Sequence, residues 1–189
     1  RRGARGENVV TIEAEQPGHP SVRLDSGAGA DAVMAHLLAL GHRRIGRLAS
    51  GVRGQAFKPR EERWRAALVD AGVDPDEMPH ARSRIDLPSA RAAAATLLDR
   101  PDPPTAVFCD DDVLACGVYL AARDLRVRIP RDVSVVGFDD VDFATVLEPP
   151  LTTVTADAER LGALAFETLA AVMAGRRVRR VQLLPVELT

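Results

Sequence analysis

The chain has 189 residues, of which 46% are hydrophobic and 28% charged, with a formal net charge of -2. That apolar share supports a packed core, the near-neutral balance excludes a predominantly basic nucleic-acid surface, and no run approaches the roughly 20 apolar residues of a membrane span. The length suits one large domain or two small ones. Aromatic residues make up 4%, so the core has to be built mainly of Ala, Val and Leu. Cys109 and Cys116 form no CxxC pair and read as reduced, buried thiols.

Strand and helix signals alternate along the chain. Residues 9–12 and 21–24 read as strands. Residues 31–40 carry apolar side chains at helical spacing and stop at Gly41. A short strand over 45–49 ends in Ser50-Gly51. Residues 60–71 are amphipathic, with Trp64, Ala67, Leu68 and Ala71 on one face and a stop at Gly72. Residues 73–82 form a loop running into a strand over 83–85. An Ala-rich helix over 89–98 takes Ser89 as its expected cap. A strand over 105–109, a helix over 113–123 capped by Asp112, and a strand over 133–138 follow. A long helix over 156–174 and a last strand over 181–184 complete the series. This alternation predicts parallel sheets with right-handed crossovers.

Residues 129–155 are the most informative stretch. The run 133–138 is rich in β-branched residues, as suits a strand buried on both faces. Gly137 lets the backbone come close at its end. Asp139 and Asp140 fall just past that end, where open α/β sheets bind ligands. Asp110-Asp111-Asp112 follows the preceding strand in the same way, and three adjacent acids can serve as caps, ligand acceptors, a metal site or a phospho-acceptor. A phospho-acceptor of the receiver type needs a lysine late in the chain, and the one lysine is Lys58. Metal would need further ligands. There is no Ser-His-Asp set, no Gly-x-x-x-x-Gly-Lys loop and no Gly-x-Gly-x-x-Gly loop, Gly27-Ala28-Gly29 being a fragment of one. No catalytic residue, metal ligand or cofactor is therefore assigned.

Five blocks carry a family resemblance. They are 36–45 (HLLALGHRRI), 104–108 (PTAVF), 112–117 (DVLACG), 133–140 with 149–154 (VSVVGFDD and PPLTTV), and 183–188 (LLPVEL). In this order, from about residue 20 to the C-terminus, they resemble the effector-binding domain of LacI/GalR-type transcriptional regulators. The resemblance implies an α/β fold of two Rossmann-like subdomains, periplasmic binding protein type I-like, joined by three crossover strands with the effector between them. The crossings would fall near Ser50-Gly51, 149–153 and Leu184-Pro185. Residues 1–50 with 152–184 would then form the N-terminal subdomain, and 51–151 with 185–189 the C-terminal one. The family begins its N-terminal subdomain with further elements, preceded by a helix-turn-helix and a hinge helix. None of these is present, and Arg1–8 does not read as a natural start, so that subdomain is expected to be truncated.

The resemblance also points to site residues. Arg60 opens Arg60-Glu61-Glu62-Arg63-Trp64, matching the family's Arg-x-x-Gly-aromatic element, with Arg63 in place of glycine. In the family that arginine grips effector oxygens, which suits a planar guanidinium fork. A cation at a helix start opposes the helix dipole and needs a partner. Asp139 matches the acid that accepts effector hydroxyls, the alternative being an Asx-turn. Asp111 sits where relatives place Asn or Asp against the effector. Ile85 falls where sugar-binding members often stack an aromatic ring, and Phe57 is placed to substitute for it. Asp25 ends a strand facing the same cleft, with helix capping as the equal alternative. Ala156 and Ala158 replace side chains that are often polar or aromatic, a departure from the common sugar specificities. His36 and His42 are structural.

The implied protein is a cytoplasmic homodimeric regulator with no membrane segment. A small effector, a sugar or derivative, would control operator binding through a helix-turn-helix outside this chain. The alternative is a periplasmic solute-binding protein of a transporter, which would need a secretion signal. The blocks 41–45 and 149–153 favour the regulator. An enzyme on this fold has no nucleophile or cofactor loop to support it.

Overall fold

The computed structural model describes residues 8–52, 54 and 56–189; the reading of residues 1–7 as an unnatural start lies outside them. In chain order the elements are β1 (Thr11–Ile12), β2 (Ser21–Leu24), α1 (Ser26–Ala39), β3 (Ile45–Ser50), α2 (Lys58–Asp70), β4 (His80–Ser83), α3 (Leu87–Leu98), β5 (Ala106–Cys109) and α4 (Asp112–Leu125). They continue with β6 (Ser134–Val136), β7 (Val154–Thr155), α5 (Ala158–Met173), β8 (Val181–Leu184) and β9 (Glu187–Leu188). Short 3-10 turns cover Pro75–Glu77 and Asp142–Val146.

The chain divides into two compact units. The first runs through Asp25 and resumes over Asp157–Pro185. Its sheet has the order β1-β2-β8, all parallel, with α5 packed on β2 and β1. The second comprises Ser26–Ala156 and Val186–Thr189. Its main sheet has the order β4-β3-β5-β6, again all parallel, and β7 pairs with β9 antiparallel.

These boundaries differ from those expected. The first crossing falls at Asp25/Ser26 rather than near residue 50, because β3 is hydrogen bonded to β4 and β5 and so belongs to the second sheet. The second falls at Ala156/Asp157 rather than within 149–153, because 152–155 run beside 136–139. The third lies at Pro185/Val186, one residue past the expected Leu184-Pro185. A buried β-branched run reads alike whichever sheet it joins, so its spacing could not assign it.

The second unit has a core on each face of its sheet. Every residue of β5 is buried, and alternation sends Val107 and Cys109 to one face and Ala106 and Phe108 to the other. Leu48, Val107, Leu97, Leu114 and Val118 fill the layer under α3 and α4. Ile45, Phe108, Met34, Leu37, Trp64 and Leu68 fill the layer with α1 and α2. The Trp64 indole donates to the Ile45 carbonyl at 3.2 Å, which keeps its one polar atom satisfied.

Local chemistry shifts several ends. α1 begins at Ser26, not 31. Its first turn holds glycines with poor helix propensity, but a Cβ on Gly29 would stand 2.9 Å from the Phe138 ring, so the close approach of α1 to Phe138 requires the glycine. Asp86, not Ser89, caps α3, accepting from the Ser89 N–H at 2.8 Å. Asp111, not Asp112, caps α4, accepting from the Val113 N–H at 2.6 Å. β4 lies at 80–83 rather than 83–85, since it is register with β3 that sets its span. His42 bridges Thr105 Oγ1 at 2.9 Å and Ser134 Oγ at 3.1 Å, pinning the starts of β5 and β6, the end of the sheet opposite Asp110 and Asp139. Burial, with His36 nearby, lowers its pKa.

Candidate functional site at the carboxyl ends of the strands

In the order β4-β3-β5-β6 the chain leaves β3 for one side of the sheet and returns to the other side at β5. This is a topological switch point, and open parallel sheets bind ligands outside the carboxyl ends of strands at such a point. The residues there are Ser50, ending β3, and Asp110 to Asp112, following β5. Asp139 joins them beyond β6.

Arg60 lies in the first turn of α2 and is 3% exposed. Its guanidinium carbon sits 3.5 Å from the Phe138 ring centroid and 5.2 Å from that of Phe57, so the cation is stacked on one ring and flanked by a second. Nη1 donates to the Asp110 carbonyl. Nη2 lies 3.6 Å from Asp139 Oδ1. These acceptors and rings supply the partner that a cation at a helix start requires.

Asp139 is held in an unusual backbone state, with φ at 107° and Asp140 following at 55°. Such a φ costs a non-glycine residue about 1–3 kcal/mol and persists when its surroundings over-determine it. Here they do: the Asp139 N–H donates to the Val154 carbonyl at 2.8 Å, and Thr155 Oγ1 donates to Asp140 Oδ2 at 2.9 Å. The side chain is 32% exposed. Burial pushes its pKa up to about 7, against the pull of Arg60 and with a further push from Asp111, whose carboxyl lies within hydrogen-bonding reach, and from Asp112. Two close carboxyls beside one guanidinium make a site rich in acceptors, suited to a ligand that brings several donors.

The three consecutive acids have separate tasks. Asp112 is fully buried and accepts from Thr153 Oγ1 at 2.6 Å and from the Val141 N–H at 3.0 Å, tying the 137–141 loop to 153. Gly137 is required for this: a Cβ there would lie 2.1 Å from Asp112 Oδ1. Asp111 caps α4 and faces Asp139. Asp110 is 1% exposed and receives both Nε (3.1 Å) and Nη2 (2.8 Å) of Arg47 on Oδ1, and Nη2 (2.9 Å) with the Ser50 N–H (2.9 Å) on Oδ2. Among the described residues no group of three His, Cys, Asp or Glu is arranged to hold a metal.

Arg47 is 4% exposed in the middle of β3; neither it nor Phe138 stands out in the sequence, and Asp110 does so only as one of three adjacent acids. Arg47 stands opposite Phe108 in the register of β3 with β5, which brings it to Asp110 just past the end of β5. Arg47 also reaches Glu61 Oε2 at 3.2 Å, and Arg82 reaches the same oxygen at 3.1 Å and the Ser50 carbonyl at 3.3 Å. Partial burial opposes ionisation of Glu61, but the two arginines prevail and its pKa is lowered.

Of the expected site residues, Arg60, Phe57, Asp139 and Asp111 therefore share one region. Ile85 is half-buried just past β4, at the same end of the sheet. Asp25 belongs to the other unit, where its N–H donates to the Leu184 carbonyl at 2.8 Å as β2 ends.

The fold and this sheet-end arrangement define a periplasmic-binding-protein-like ligand-binding domain. Residues 34–189 match the family model of the periplasmic binding protein-like domain, and the chain belongs to that family. It is 35% identical over 183 residues to the HTH-type transcriptional regulator DegA of Bacillus subtilis, covering 95% of this chain and 54% of DegA. It is 33% identical over 159 residues to the HTH-type transcriptional repressor CytR of Escherichia coli, covering 84% of this chain and 47% of CytR. The chain thus spans about half the length of these relatives. Among solved structures, a LacI family regulator from Enterococcus faecium with bound ribose superposes with a TM-score of 0.87 at 25% identity, covering 95% of this chain and 68% of that one. A Lac repressor dimer bound to operator and an anti-inducer gives 0.87 at 27% identity, covering 95% and 63%. These relatives are regulators, not enzymes, which favours the regulator reading over the transporter alternative. No helix among the described residues is long and apolar enough to cross a membrane.

Proposed function

We propose that this chain is the effector-sensing part of a transcriptional regulator, and that the effector binds at the carboxyl ends of β3, β5 and β6. Arg60, Asp139 and Asp111 would make the polar contacts, with Phe57 and Ile85 as apolar walls. The observation that carries this is the buried Arg60, stacked on Phe138 and directed to Asp139 at the switch point. The acceptor surplus favours a neutral, hydroxyl-rich molecule such as a sugar or sugar derivative. The ribose-bound relative supports that class.

The regulator would act in the cytoplasm as a homodimer, reading operator DNA through a segment outside this chain. Its control of DNA would be a coupling free energy between the two sites, typically 1–3 kcal/mol in such systems. The test is calorimetric titration with pentoses, hexoses, polyols, nucleosides and sugar phosphates. One hydroxyl-rich class is expected to saturate the protein, with Asp139→Asn and Arg60→Lys each weakening it at least about tenfold. Unchanged binding in both folded variants would place the site elsewhere.

A further inference from the structure

Arg60 rests on a polar ring that its own side chain does not belong to. Asp110 takes the Arg47 fork and the Ser50 N–H; Arg47 continues to Glu61; Glu61 continues to Arg82; and Arg82 closes on the Ser50 carbonyl. The ring staples β3, β4 and β5 to the first turn of α2. Arg60 touches it twice, since its backbone neighbours Glu61 and its guanidinium donates to the carbonyl of Asp110.

We propose that the Arg47–Asp110 pair, closed into this ring, is the positioning element of the site, holding the Arg60 guanidinium in register with Asp139. The inference rests on the effector-site reading above. A buried ion pair gains little stability over apolar side chains of similar size, because desolvating two charges offsets most of their attraction. What it supplies is geometry: a planar fork meeting a carboxylate fixes both partners in distance and angle. It also settles the charge. Three acids in a row follow β5, and Arg47 neutralises the first. Arg60 also acts on the Asp110 carboxylate, but less strongly than Arg47 does, and it faces Asp139 at 3.6 Å. Arg47 and Asp110 touch no ligand in this scheme; they act through Arg60.

The test uses two variants that leave the net charge unchanged: the double variant Arg47→Met with Asp110→Asn, and the conservative Arg47→Lys. The readout is the titration of the Asp139 carboxyl, followed by carbon NMR in the ligand-free protein, together with the affinity for D-ribose. If Arg60 loses its register, its pull on Asp139 weakens and the Asp139 midpoint moves above the native value of about 7. Both variants are expected to show that upward move, smaller for Arg47→Lys, and to bind ribose at least about tenfold more weakly. A midpoint and affinity that stay at the native values in either folded variant overturn the proposal, and Arg47→Lys decides the matter if the double variant does not fold. If the unaltered protein ignores ribose while the midpoint still moves, the positioning role stands and the sugar reading falls.

Discussion

Asp139 shows how one residue joins strain, charge and pH. Its folded pKa of about 7 lies above the ordinary 3.8, chiefly through burial, with Asp111 and Asp112 pushing the same way and Arg60 opposing. Protonation therefore favours the folded state. The contribution is fully present below about 3.8 and is lost as pH rises through about 7, a window in which the fold binds more protons than the unfolded chain. Asp139→Asn should remove that decline, so the stability gap between variant and native protein should widen in the variant's favour from about pH 5 to about pH 8 in urea melts. Equal slopes would mean that the carboxylate is ionised throughout. Gly137 makes a steric prediction: Gly137→Ala puts a methyl against Asp112 and should cost about 1–3 kcal/mol by thermal melting. The sequence places both residues at the strand end and suggests a close backbone approach at Gly137, whereas the neighbour is the Asp112 carboxylate.

At the level of elements, caps and cores set the expectations. Asp111 caps α4 and also raises the Asp139 pKa, so Asp111→Ala should cost about 1 kcal/mol and lower the Asp139 midpoint together. A variant that loses stability without moving the midpoint would separate the two roles. Leu97 and Leu114 pack in the layer between the sheet and α3 and α4, and truncating either to Ala should cost about 2–5 kcal/mol. The helices were legible because their apolar spacing and terminal glycines are local signals. The caps of α3 and α4 were misassigned by a few residues or by one, since Asp86 and Ser89, or Asp111 and Asp112, offer equally good side chains and backbone direction selects between them.

For the whole molecule, the two units differ in depth of core. Of the largest fully buried side chains among the described residues, Val22 alone lies in the first unit; Phe108, Phe138, Ile45, Leu48 and their fellows lie in the second. Amides of β3 and β5 should therefore exchange most slowly, and those of β1 and β8 early. An effector held by the second unit should slow β3, β5 and β6 further, and at a hundredfold excess over its dissociation constant add about 2.7 kcal/mol. Protection confined to the first unit on ligand addition would contradict the proposed site.

The α/β class, the strand–helix alternation and the family's motif blocks were readable from the sequence, because hydrophobic period and turn residues are properties of neighbours along the chain. So was the candidacy of Arg60 and Asp139, through the motifs that carry them. The assignment of β3 to the second sheet needed the pairing of strands, which depends on contacts far apart in sequence. The Arg47–Asp110 pair needed it too: residues 47 and 110 meet because β3 and β5 are neighbours, and their burial is tolerable because each is the other's partner. Spacing along the chain carries no trace of that compensation. Tertiary structure alone brought these two charges together.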